Sequence, residues 1–181
     1  MLNDLSRHIL NNEPWLMERI LFYAKAREYT PYTSTLVEAW RTSIHGLSKA
    51  LAAAVDSCEG QLPEFSPMER LGDDPVAAFG LLEAQRHRER GINLQMFLGL
   101  FKYYRQSYVD LIRAMDIEGK TKQYFEDFVV RCFDRIELAF CTKWAEQDAP
   151  SSLQELQDSN RRMTNEKNKY LTLFKSQADP V

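Results

Sequence analysis

Several features common in membrane proteins and enzymes are missing from this sequence. No apolar run approaches the roughly 20 residues that span a bilayer, and the N-terminus lacks a signal peptide's basic-then-apolar form. Nucleophile-elbow, P-loop, zinc-protease and dinucleotide-binding motifs are all absent. A net charge of -3 argues against a broad nucleic-acid surface. We therefore expect a cytoplasmic chain with no membrane or nucleic-acid partner, and no enzyme activity in these 181 residues.

Cysteine is scarce, and its pattern excludes the usual cysteine chemistry. The three residues Cys58, Cys132 and Cys141 are odd in number and form no CxxC pair. Cys132 and Cys141 lie within an apolar helical pattern. This pattern predicts buried, reduced thiols with no redox or metal role.

Strand signals are also missing, and helical periodicity runs through most of the chain. Valine and isoleucine never alternate with polar residues over a useful length. Helices are predicted over residues 3–12, from Pro14 to about Glu28, from a Thr35–Glu38 capping box onward, and over 118–147. Only residues 58–72 form an extended irregular segment. The fold class is predicted to be all-α, with residues 1–147 forming one helical domain.

The centre of the chain predicts two helices that meet at a glycine. Asp74 and Pro75 form a helix start signal, Gly91 suits the left-handed residue after a helix, and Asn93 can cap the next helix. The second helix carries an apolar stripe at steps of three and four residues. Its members are Leu94, Phe97, Phe101, Tyr104, Tyr108, Leu111 and Met115.

After Ala149 and Pro150 the chain predicts a different kind of helix, over residues 151–175. Its thin apolar seam follows a heptad repeat, and the residues between are almost all polar. The seam residues are Leu153, Leu156, Asn160, Met163, Lys167, Tyr170 and Phe174. Polar residues at two a positions favour a parallel pair in fixed register. We predict a parallel coiled coil in a homodimer; the alternative is a polar helix packed back on its own domain.

The final residues resemble a known junction. The segment Asn165 to Val181, NEKNKYLTLFKSQADPV, is similar to the point where a signalling helix enters a PAS domain in bacterial sensor histidine kinases and diguanylate cyclases. The resemblance implies that residues 176–181 begin a PAS-like domain and that output domains follow in the same chain. The phosphoacceptor and ATP-binding motifs of a kinase are absent from these residues.

The central stretch resembles the sensory globins. His87 stands four residues before Gly91, followed by Ile92 and an amphipathic helix, which is the spacing of heme-binding globin-coupled sensors. The N-terminal domains of stressosome RsbR-type proteins, which bind no heme, are similar too, with an arginine-rich turn and an aromatic-arginine pair, here Tyr104 and Arg105. The resemblance implies a globin-like helical bundle over residues 1–147.

Two candidate sites follow from these patterns. His87 is the candidate axial ligand of a heme, and the small residues on its face, Gly80, Ala84 and Gly91, would let a flat macrocycle approach. A structural or exposed histidine is the alternative. The second candidate site is a small-ligand pocket lined by the aromatic set, for which plain core packing is the alternative. This set is Trp40, Phe97, Phe101, Tyr104 and Tyr108.

The remaining polar candidates are interpreted as structural. His8 and His45 have no second ligand four residues away, so no zinc site is expected. Arg105 is expected to pair with Asp110 or Glu83, or else to bind an anionic ligand.

The sequence thus favours the sensory domain of a signal-transduction protein, with a sensor histidine kinase as the favoured full-length protein. It would dimerise and relay a signal through its C-terminal helix. The rival interpretations are a scaffold that binds another protein without heme, and a heme-based gas sensor that uses His87.

Overall fold

The computed structural model describes residues 2–30, 37–66, 70–146 and 159–170. Within these ranges every regular element is helical and no strand occurs, which confirms the all-α prediction. The described ranges include six helices with defined ends, the 3-10 turn Leu71–Asp73 and a further helical stretch over residues 159–170. The helices are α1 (Leu2–Asn11), α2 (Glu13–Ala26), α3 (Val37–Ser57), α4 (Pro75–Glu89), α5 (Leu94–Arg113) and α6 (Gly119–Glu146).

The chain divides into two compact units, Met1–Trp144 and Ala145–Val181. The first unit contains α1 to α5 and nearly all of α6. In the second unit, the described residues 159–170 are helical. None of the helices in the described ranges is both long and apolar enough to cross a membrane.

Local signals in the sequence determine the junction between α4 and α5. The Asp74 carboxylate accepts the Ala77 N–H at 2.7 Å, and the Asn93 side chain accepts the Met96 N–H at 2.8 Å. Gly91 has φ +75°, the left-handed conformation expected after a helix. The Ile92 N–H then donates to the His87 carbonyl at 3.2 Å, which closes the end of α4. Both predicted caps and the glycine turn are confirmed.

The core of the first unit is built largely from aromatic side chains of α5 and α6. Phe101 contacts Phe133 and Phe140, with ring centroids 5.0 and 4.9 Å apart. Tyr108 is fully buried, and its hydroxyl lies 2.9 Å from the Ser48 hydroxyl of α3. Burial raises the pKa of Tyr108, because the anion would lose its hydration. The stripe predicted for α5 therefore faces the core.

Helices α4 and α6 lie in close contact at Gly80. A Cβ atom at this position would lie 2.8 Å from the Ile136 carbonyl oxygen and 2.9 Å from the Ala139 Cβ. Both are shorter than real Cβ contacts, so only glycine permits this approach. Ile136 and Ala139 are fully buried at the crossing point.

Helix α2 is joined to α5 through one carboxylate. Asp110 accepts from the Arg19 guanidinium at 2.7 and 2.8 Å and from the Tyr23 hydroxyl at 2.7 Å. The Gln106 amide donates to its other oxygen. These bonds hold the pKa of Asp110 below its usual value although burial opposes the charge.

The predicted partners of Arg105 were wrong. Its guanidinium lies 3.0 Å from Asp134 of α6, while Asp110 pairs with Arg19 and Glu83 pairs with Arg86. The expectation of a structural ion pair is met, but across a different pair of helices. The reason is that partner choice depends on how α5 meets α6, which local spacing does not determine.

Side chains of α6 hold the irregular segment after α3. The Tyr124 hydroxyl donates to the Gly60 carbonyl at 2.6 Å, and Arg131 donates to the Pro63 carbonyl at 3.2 Å. Arg135 is buried, donates to the Glu64 carbonyl, and donates to Asp74 at 2.9 Å. Residues 58–66 contain no helix or strand, but they are fixed at three points.

The prediction for the cysteines was right for one position and wrong for another. All three thiols are free; Cys132 is buried, whereas Cys141 is exposed and Cys58 is half-buried. Cys141 directly follows the buried Phe140, and one residue rotates a helix by about 100°, which turns the Cys141 side chain off the core stripe.

Candidate functional sites

His87 lies in the last turn of α4 and is mostly buried, with 21% of its side chain exposed. Its Nδ1 lies 2.8 Å from the Glu83 carbonyl oxygen, so Nδ1 carries the proton and donates it. This leaves Nε2 as the unprotonated nitrogen of the neutral ring. Burial lowers the pKa of His87 from 6.5, and the hydrogen bond to the Glu83 carbonyl offsets this only in part. The tautomer is the one that a metal ligand needs.

Other parts of the chain pack against His87 and against the small residues of α4. The Phe97 ring covers the imidazole, with centroids 4.4 Å apart, and Phe97 packs in turn on Phe140 at 4.5 Å. On the same helix, the small residues Gly80 and Ala84 are buried, and Gly80 contacts the α6 backbone. The α6 backbone therefore occupies the face of α4 at Gly80 that a macrocycle was expected to approach. Because glycine has no side chain, α4 and α6 can pack closely at Gly80.

The predicted aromatic set is brought together, but its members pack on one another or on further core rings. Trp40 and Tyr104 stack at 6.2 Å, and Phe97 and Phe101 stack at 6.5 Å. Tyr108 contacts Phe133 at 5.5 Å. All are buried except Phe97, which is partly exposed. These contacts are those of core packing, the alternative interpretation of the aromatic set.

The end of α6 is held by Phe97 together with two residues that the sequence did not single out, Arg88 and Trp144. Arg88 donates from Nη1 to the Trp144 carbonyl at 2.7 Å. The Trp144 ring lies 5.4 Å from the Phe97 ring, which also contacts His87. We call Arg88, Phe97 and Trp144 the α6 anchor. An arginine near a turn adds nothing to the apolar periodicity from which helix contacts are predicted. The contact between Arg88 and Trp144 is therefore seen only in the folded structure.

The other histidines have local structural contacts. His45 Nδ1 lies 3.1 Å from the Glu13 carboxylate, which joins α3 to α2. His8 lies beside Asn12 at the end of α1. In the described ranges no group of three histidine, cysteine, aspartate or glutamate residues is placed to hold a metal ion.

A shallow recess lies on the outer side of α6. Its volume is about 390 Å³, and its wall consists of Phe65, Asp134, Glu137, Leu138 and Cys141. Phe65 and Leu138 are 44% and 48% exposed. The two carboxylates already pair with Arg105 and Lys102, so the charge in this recess is balanced.

The C-terminal helix is exposed over all twelve described residues, 159–170. Met163 and Tyr170 have 62% and 65% of their surface exposed. They stand seven residues apart and therefore lie on the same face of the helix. Asn160 and Lys167, the predicted a positions, are exposed beside them. Leu153, Leu156 and Phe174 lie outside the described residues, so the full seam remains a prediction.

Comparison of the chain with protein-family models, with curated proteins and with solved structures finds no match. The functional argument therefore rests on the geometry of the molecule itself.

Proposed function

We propose that this chain is a dimerising regulatory domain of a cytoplasmic signal-transduction protein, in which a globin-like helical bundle relays its state through the helix of residues 151–175. A sensor histidine kinase is the favoured full-length protein. The observation that carries the proposal is the exposed seam of the C-terminal helix. Met163 and Tyr170 expose more than half of their surface on one face, while nearly all their neighbours are polar. A second copy of the helix would cover this face.

The expected strength of the pairing is modest. Full burial of a large apolar side chain contributes about 1.5–3 kcal/mol, so the remaining exposed surface of Met163 and Tyr170 is worth roughly 1–2 kcal/mol each. A dimer has four such side chains, which give roughly 4–8 kcal/mol against an association cost of at least about 4 kcal/mol. The predicted seam residues outside the described ranges would add to this. The difference of at most about 4 kcal/mol corresponds by itself to a Kd of about 1 mM, so the micromolar dimer that we expect needs the contribution of those further seam residues.

The polar seam residues support a parallel arrangement. Asn160 and Lys167 occupy the same heptad position one repeat apart. In a parallel pair each would face its own copy, where asparagine fixes the register at some cost in stability. In such a pair, the axial register or the crossing angle of the two helices can differ between two states of the bundle. That difference would transmit the state of the bundle to the output domains.

Sedimentation equilibrium of the full chain, compared with Met163→Asp, tests the proposal. Asn165→Asp is the matched control, because it introduces the same side chain on the same exposed helix but outside the seam. The wild-type chain and Asn165→Asp should dimerise, and Met163→Asp should be monomeric. A monomeric wild-type chain at all micromolar concentrations would refute the proposal, as would equal dimerisation of the two variants.

The packing around His87 favours a regulatory bundle that works without heme. Phe97 covers the imidazole, and α6 fills the face of α4 at Gly80. The signal would then be a small ligand or a protein partner that binds one arrangement of the bundle better than the other.

A further inference from the structure

The last turn of α6 is the point at which the bundle can act on the C-terminal helix, since the chain passes from α6 into residues 147–158 and then into that helix. Carbonyl groups in the last turn of a helix lack partners within the helix. Trp144 lies in this turn, and its carbonyl accepts from Arg88 at 2.7 Å. A guanidinium at this position also interacts favourably with the negative end of the helix dipole.

The contact joins three helices in one place. Arg88 comes from the end of α4, Phe97 from the first turn of α5, and Trp144 from the end of α6. Phe97 contacts His87, Phe140 and Trp144 with centroid distances of 4.4, 4.5 and 5.4 Å. A shift of the α4–α5 turn would therefore move the ring on which Trp144 packs and the donor that binds its carbonyl.

We propose that Arg88 is a positioning residue for signal output: through the α6 anchor, the α4–α5 turn fixes the end of α6 and thereby sets how strongly the C-terminal helices pair. This inference rests on the proposed function. With the anchor closed, the end of α6 is already ordered, and little conformational freedom is lost there when the C-terminal helices pair. With the anchor open, the end of α6 frays and pairing must order it again.

Arg88→Ala tests this, with Arg86→Ala as the matched control. Arg86 lies two residues away on the same helix, but its guanidinium is bound to Glu83 at 2.7 Å within α4. Hydrogen exchange of the peptide covering residues 140–146 measures the local effect, and sedimentation equilibrium measures the dimer Kd. Loss of a bond from a charged donor should speed exchange at the end of α6 about tenfold. The dimer Kd should rise by roughly three- to tenfold, following the same loss of order.

Further variants separate the anchor from a general loss of stability. Arg88→Lys keeps the charge and should restore part of the exchange protection, which a purely steric role would not. Phe97→Leu opens the anchor from the α5 side and should also speed exchange at residues 140–146 if Arg88→Ala does not fold. Circular dichroism checks that each variant keeps its helix content.

The outcomes distinguish this inference from the proposed function. If the wild-type chain dimerises through Met163 but Arg88→Ala matches Arg86→Ala in exchange and Kd, the anchor has no output role and the proposed function stands. Faster exchange without any change in Kd overturns the inference as well, because the end of α6 then does not influence pairing. A wild-type chain that is monomeric removes both.

Discussion

Replacing Gly80 by alanine should destabilise the bundle, although alanine is the better residue for a helix. The added Cβ would lie 2.8 Å from the Ile136 carbonyl oxygen and 2.9 Å from the Ala139 Cβ. Both partners are buried on α6 and one is a backbone atom, so neither can rotate away. Helix α4 must instead move away from α6.

The magnitude follows from two opposing terms. Glycine to alanine within a helix gains about 1 kcal/mol in helix propensity. Forcing an extra methyl group into a closed contact costs typically 1–3 kcal/mol. The net expectation for Gly80→Ala is a loss of about 1 kcal/mol in the free energy of unfolding, which in a chain of this size lowers Tm by about 2–4 °C.

Gly46→Ala is the matched control, since Gly46 also lies inside a long helix, α3. There the new Cβ would meet only the edge of the Phe79 ring, at 3.2 Å, and Phe79 is partly exposed and able to shift. The propensity gain should then dominate, and stability should rise by up to about 1 kcal/mol. Urea unfolding followed by circular dichroism measures both variants. If Gly80→Ala is as stable as Gly46→Ala, α4 and α6 do not approach at Gly80 and the argument against a macrocycle on that face is lost.

Three further predictions follow from the polar groups and from the packing at His87. Asp110→Ala should lower the free energy of unfolding by about 1–3 kcal/mol, because Arg19 and Tyr23 lose their shared acceptor. In the same urea assay, replacement of an exposed carboxylate in the control Glu38→Ala should cost less than about 1 kcal/mol. Equal losses in the two variants would contradict the prediction. Because burial lowers the pKa of His87 in the folded chain, the neutral ring stabilises the fold above the unfolded pKa of 6.5, and this contribution is lost as the pH falls through the folded pKa. His87→Gln should therefore reduce the loss of stability between about pH 7 and pH 5, measured as the urea midpoint at each pH, and an unchanged slope would show that other groups dominate. Addition of hemin should give no Soret band that depends on His87, and a band lost in His87→Ala would reinstate the heme-sensor alternative.

The sequence best predicted those structural features that depend on residues close together in the chain. Asp74, Asn93 and Gly91 cap or end helices through bonds to residues three to five positions away, so their types alone identify them. The burial of the α5 stripe also follows from spacing within one helix. The helical class and the junction at residues 89–94 were therefore accessible without a structure.

What could not be predicted depends on which helices meet. Arg105 has acidic residues nearby in sequence, but its partner Asp134 is brought near only by the packing of α5 on α6. The small residues of α4 predict that another group packs closely against that face of the helix. A neighbouring helix explains these small residues as well as a macrocycle does. The α6 anchor involves a residue from each of three helices, and no periodicity relates them.

The segment between α3 and α4 is rich in glycine and proline, the composition at which proteins usually tolerate changes of length. Here its carbonyl groups at Gly60, Pro63 and Glu64 each accept from a different side chain of α6, and these three donors are spread along that helix. An inserted residue would displace every later carbonyl from its donor and leave the buried Arg135 without its carbonyl partner. The length of this segment is therefore fixed by the spacing of Tyr124, Arg131 and Arg135. A fusion or tag inserted between Gly60 and Glu64 would disturb the packing of the bundle in the way that a substitution of a core residue does.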